Sequence, residues 1–180
     1  KLQPLWGLSN FSVGWVSGAY FIGYVFATPV LVGLTDRYDA KYIYIFSTLI
    51  AAVGAFGFAL TAQGFWSAAF CWGLVGAGLA GTYMPGIKIL NARLDDDHRL
   101  RLLPYYTSAF GIGTGLSFFV MGWLYSYADW TSAFIYAGLG SLSTGLLVSA
   151  MIRPQPVKNE SYAPRRHPLD FRPAFRNAAA

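Results

Sequence analysis

Four stretches of this chain hold no charged residue, at 2–35, 42–87, 102–128 and 130–152. Runs of that length decide the fold class. A hydrocarbon layer about 30 Å thick is crossed by about 20 residues of α-helix, each rising 1.5 Å. The runs therefore hold five crossings, expected at 11–34, 42–62, 65–87, 104–128 and 130–152, with the longest run divided at Gln63 and Gly64, where a strongly polar amide meets a helix breaker. With 55% hydrophobic and 12% charged residues, too few charges remain to cover a soluble domain of 180 residues.

A β-barrel is the competing way to cross a membrane, and the aromatic content alone would permit it. Barrel strands alternate strictly over about ten residues, and stretches such as Leu49-Ile50-Ala51-Ala52-Val53 do not alternate. Helices satisfy their own backbone hydrogen bonds in lipid, so the expected class is an all-α membrane protein, a transmembrane helix bundle. Each span also carries small residues at four-residue spacing, the pattern that lets helix backbones approach closely. The ladders are Ala19, Gly23 and Ala27; Ser47, Ala51, Ala55 and Ala59; Ala69, Gly73, Ala77 and Gly81; Thr107, Gly111 and Gly115; and Ala133, Ala137, Ser141, Gly145 and Ser149. Gly76-Ala77-Gly78-Leu79-Ala80-Gly81 matches a dinucleotide-binding pattern, but that chemistry needs a preceding strand and a solvent-facing helix start. Inside an apolar span it reads as packing.

The basic residues lie where alternate connections fall. Arg37 and Lys41 sit in the first connection, and Lys88, Arg93, Arg99 and Arg101 in the third. Arg153, Lys158, Arg165, Arg166, Arg172 and Arg176 follow the last span, and Lys1 alone lies opposite. By the positive-inside rule the basic face is cytoplasmic and the amino end outside. Bases that only fringe apolar spans do not form the folded, aromatic-interleaved surface that binds nucleic acid. Lys1 stands where an initiator Met would, so an earlier start to the protein is expected.

The first connection, Val32-Gly33-Leu34-Thr35-Asp36-Arg37-Tyr38-Asp39-Ala40-Lys41, resembles the signature loop of the major facilitator superfamily, written G-x-L-a-D-R-x-G-R-K. Leu34, Asp36, Arg37 and Lys41 match it, whereas Val32, Asp39 and Ala40 depart from it. The resemblance extends over nearly the whole chain. The five spans look like that family's helices two to six, Asp129-Trp130 looks like the approach to its sixth, and 153–180 looks like the start of a cytoplasmic linker. On that likeness the first helix and the carboxyl-terminal half of the same protein are partners still to be supplied. It further implies a conformational gate at Asp36, Arg37 and Lys41, in which a carboxylate at a helix end pairs with a base or with another helix's amino end. Trp72 stands where many members have an Arg, and Leu116 stands where the antiporter pattern has Pro, so drug or proton antiport is not inferred.

None of the five expected spans contains Asp, Glu, Lys, Arg or His, the usual marks of an ion relay. The polar groups left are Tyr20, Tyr24 and Thr28 at four-residue spacing, with Trp72, Tyr83 and Tyr106. Tyr20, Tyr24, Thr28 and Trp72 are the candidate substrate pathway. Tyr83 and Tyr106 fit a lipid-interface role at least as well. Asp95-Asp96-Asp97 is flanked by bases and reads as a solvated loop rather than a metal site, and Cys71 as a small packing residue. His98 and His167 lie outside the spans, which leaves no base for an intramembrane hydrolase. Asn159-Glu160-Ser161 fits a glycosylation pattern but falls on the cytoplasmic side. No cofactor or metal is expected. The function expected is a secondary active transporter moving a small solute by alternating access, in the bacterial inner membrane; the alternative is a non-transporting scaffold or receptor with the same bundle.

Overall fold

A computed structural model describes residues 6–127 and 129–154, with the side chains of 96, 97, 99 and 125 outside that set; the expected linker lies beyond it from 155 onward. The described residues form five helices: α1 Asn10–Leu34, α2 Ala40–Thr61, α3 Phe65–Asn91, α4 Asp96–Tyr127 and α5 Trp130–Met151. Each is long and apolar enough to cross a membrane. The helix starts follow local chemistry. Ser9 caps α1 by accepting from the Ser12 amide, and Asp39 caps α2 by accepting from the Lys41 amide at 2.9 Å.

Two helices run further than the expected spans. α3 continues to Asn91 and takes Lys88 with it, and α4 begins at Asp96, eight residues before Pro104. Counting apolar residues locates the part in lipid, whereas backbone hydrogen bonding carries a helix on into water. The third connection therefore shrinks to 92–95, and Asp96 belongs to a helix rather than to a loop. Pro29, Pro85 and Pro104 all lie inside helices, as apolar spans tolerate.

Four helices make one close-packed layer in the order α1, α3, α2, α5, while α4 touches α3 and α5 only marginally. Glycines set the spacing. A Cβ on Gly23 would overlap the Gly73 carbonyl, and one on Gly76 would overlap the carbonyl of Tyr20, so α1 and α3 meet backbone to backbone. On the α2 side, a Cβ at Gly54 would lie 2.8 Å from the Cys71 carbonyl and one at Gly78 2.6 Å from Ala51. Gly81 is pressed against Ser47, and Gly145 of α5 against Thr48. Gly111 and Gly115, expected from their ladder to pack as well, face no atom within 4 Å among the described residues. Small residues permit close approach; they do not supply a partner.

The outward faces carry large apolar side chains such as Phe26 at 75% and Leu146 at 69% exposure, while Phe58 inside the layer is 3% exposed. A water-facing surface would not carry so much exposed apolar area; a lipid-facing one requires it.

Candidate functional site

The residues of the signature-like loop lie where three helices end and two begin. Thr35 closes α1 and is almost fully buried, its hydroxyl donating to the Val32 carbonyl at 2.6 Å. Lys88, from the last turn of α3, reaches this end. Its Nζ donates to the Thr35 carbonyl and hydroxyl, each at 3.0 Å, and to Asp36 Oδ1 at 2.7 Å. The cation thus sits on the negative end of the α1 dipole while pairing with a carboxylate. With side chains 47% and 76% exposed, the Lys88–Asp36 pair contributes at most about 1 kcal/mol to stability. Such a pair can exchange partners at little cost.

Lys41 is placed differently from Asp36, although the two are close in sequence. It is only 7% exposed, and its Nζ donates to the Ser149 carbonyl of α5 at 2.9 Å. Lys41 therefore ties the start of α2 to the end of α5 within this layer. Arg93 repeats the device, with Nη1 donating to the Ile89 carbonyl at 3.1 Å and Nη2 to that of Arg153. Arg37 is exposed, and its side chain pairs with no described residue. Of the three residues expected to form a gate, only Asp36 has a cross-helix ion partner among the described residues, and that partner, Lys88, had been counted among loop cations. A Lys in the last turn of a helix was the available signal.

Charge at this end is sorted by helix direction. Lys88, Lys41 and Arg93 meet carbonyls at carboxyl-terminal helix ends, Asp39 caps the amino end of α2, and Asp95 pairs with His98 at 2.7 Å where α4 begins. The excess of bases matches three carboxyl-terminal ends on one face, those of α1, α3 and α5.

The candidate pathway residues are packed rather than open. Tyr20 stands 5.7 Å from Trp72, ring to ring, and Trp72 in turn meets Phe58 at 5.7 Å and Phe134 at 5.5 Å. Trp6 and Trp130 complete this aromatic cluster. Tyr24 packs against the buried group of Leu31, Ile43 and Ala80, and the Thr28 hydroxyl is spent on the Tyr24 carbonyl at 2.7 Å. The structure brings Tyr20 and Trp72 together; Tyr24 and Thr28 lie one and two turns further along the same helix. Tyr106 does more than mark an interface. It is half-buried, stacks near Tyr83 at 5.8 Å, donates to the Tyr83 carbonyl at 3.2 Å, and seats its hydroxyl over Gly86, joining α4 to α3.

Comparison with known proteins agrees with this architecture. Protein spinster homolog 1 of Xenopus laevis is 28% identical over 190 residues, covering 97% of this chain and 36% of that protein. The uncharacterized MFS-type transporter YcaD of Salmonella paratyphi B is 30% identical over 146 residues, 77% of this chain and 38% of that protein. The chain spans a little over a third of the length of these relatives. The family model described as Major Facilitator Superfamily matches residues 2–179, and the chain, an integral membrane protein of α-helices, belongs to that family.

Proposed function

We propose that this chain is part of a secondary active transporter that moves a small solute across a cytoplasmic membrane by alternating access, without covalent chemistry. The observation that carries the reading is the family match over 2–179, supported by relatives named as MFS-type transporters. The geometry adds a physical means. The four-helix layer is tightly tied and suits a rigid body that rocks against companion helices supplied by the rest of the protein. Asp36, held only by an exposed lysine, suits the contact that is made in one state and broken in the other. In this reading the basic helix ends face the cytoplasm, Asp36, Arg37 and Lys41 belong to the gate region, and Tyr20, Tyr24, Thr28 and Trp72 border the solute path.

The test is uptake by the protein at its natural length in proteoliposomes, screened over solutes with and without a proton gradient. Asp36→Asn is expected to reduce uptake about tenfold, equivalent to about 1.4 kcal/mol, while membrane insertion stays normal, because Asn cannot make the charge-assisted contact proposed for the closed state. Uptake at the wild-type rate in that variant would refute the gate, and absence of any transported solute would remove the transport reading itself.

A further inference from the structure

A groove lined by α1 and α3 is apolar from end to end and is lined by none of the gate or pathway candidates. It holds about 550 Å³. Its floor is the small-residue ladder of α3, Ala69, Gly73 and Ala77, and its wall on α1 includes Phe26 and Val30. A smaller groove along α2, lined in part by Phe46, adjoins it and shares Ile50 and Leu74. The trench follows from the packing: glycines draw α1 onto α3, and the ladder of α3 has no side chains large enough to fill the space between the walls. Phe26, Val30 and Phe46 are all more than half exposed, so the trench opens at the apolar surface of the described residues.

Its dimensions select the occupant. Ala19 and Leu31, the ends of the lining on α1, lie twelve helical steps apart, about 18 Å at 1.5 Å each, close to the roughly 15 Å depth of one leaflet's hydrocarbon. An extended hydrocarbon chain matches that length and the wholly apolar lining.

The basic end supplies the complementary charge. The Arg37 and Tyr38 amides bond back to the Leu34 carbonyl at 3.0 and 2.9 Å, which carries the turn of α1 past its last helical residue. Arg37, seven residues beyond Val30, therefore continues the same side of α1, and Tyr42, four residues before Phe46, continues the same side of α2. Both are exposed, and neither side chain pairs with a described residue, whereas Lys41, Lys88 and Arg93 are all committed to protein oxygens. We infer that the groove seats an acyl chain of an anionic phospholipid from the leaflet at the basic end, with its phosphate held by the Arg37 guanidinium and the Tyr42 hydroxyl.

This rests on the membrane placement and not on transport, so the two fail separately. Native mass spectrometry of the protein at its natural length, equilibrated with equal amounts of phosphatidylglycerol and phosphatidylcholine, reads it out. Wild type is expected to retain phosphatidylglycerol about fivefold over phosphatidylcholine, and Arg37→Gln to bring the ratio near one. Val30→Trp, filling the groove from an exposed position, is expected to lower retention of both lipids. Should Val30→Trp fail to fold, Val30→Phe fills the same space more gently. Equal retention by wild type, an unchanged ratio in Arg37→Gln, or undiminished retention in a folded groove-filling variant overturns the inference.

Discussion

Helices α3 and α4 are both rich in glycine, and the structure uses them in opposite ways. In α3 a Cβ at Gly76, Gly78 or Gly81 would run into a neighbouring helix, whereas in α4 one at Gly111, Gly113, Gly115 or Gly122 would meet nothing within 4 Å. α3 lies between α1 and α2 at the centre of the layer, while α4 touches α3 at its basic end, chiefly through Tyr106 and Phe110 against Tyr83, and stands clear along its middle. The difference teaches that a small-residue ladder is a permission. Its energetic weight depends on whether a partner backbone uses it.

Filling one glycine on each helix separates the two roles most directly. Gly76→Ala is expected to destabilise the folded protein by about 3 kcal/mol, because the atom it would strike is the Tyr20 backbone carbonyl, which has no rotamer to yield. Gly115→Ala is expected to change stability by no more than about 0.5 kcal/mol. Thermal unfolding in detergent measures both, and a Gly115→Ala cost equal to that of Gly76→Ala in the natural-length protein would mean that α4 packs on a partner outside the described residues. Next in size is Lys41→Ala, which removes the cation from the Ser149 carbonyl and should cost about 2 kcal/mol. An unchanged midpoint would show that the α2–α5 tie is idle.

Smaller effects sharpen the contrast. Tyr106→Phe keeps the ring and removes the bond to the Tyr83 carbonyl, at an expected cost of about 0.6 kcal/mol. Hydrogen exchange should quicken in α4 and not in α2 or α3; equal quickening throughout would contradict the separateness of α4. The smallest concerns Ser47, fully buried between α2 and α3 with its hydroxyl unpartnered. Ser47→Ala should be neutral or slightly stabilising, since no bond is lost and an unpaired polar atom is removed; a loss above about 1 kcal/mol would show that the hydroxyl has a partner after all.

Much of this fold was legible because lipid is a simple solvent. The length of an uncharged run and the thickness of hydrocarbon give helix number directly, and all five expected spans correspond to helices. Of the ladder residues, Gly23, Gly73, Gly81 and Gly145 lie against neighbouring helices in the structure. The site was legible only in part. Asp36 was expected to pair with a base or with another helix's amino end; in the structure it meets Lys88, 52 residues away, and no local pattern reports a contact of that range. Lys41 shares its loop with Asp36, yet it turns inward to α5, because its place at the start of α2 sets it beside the end of that helix. Tyr20 and Trp72 look like pathway groups when read singly; only their joint position among Phe58 and Phe134 reveals an aromatic cluster.

Hydropathy and charge along the chain are enough to place five membrane-crossing helices among the described residues, with the described cations gathered at one set of ends. Those properties depend on each residue's own preference for lipid or water, which no neighbour can alter. The tertiary structure alone decided which helices touch, which cation meets which carbonyl, and that the glycines of α3 are filled while those of α4 are not. Contacts of that kind depend on the crossing of two backbones, and a crossing is a property of the pair, written in neither helix separately.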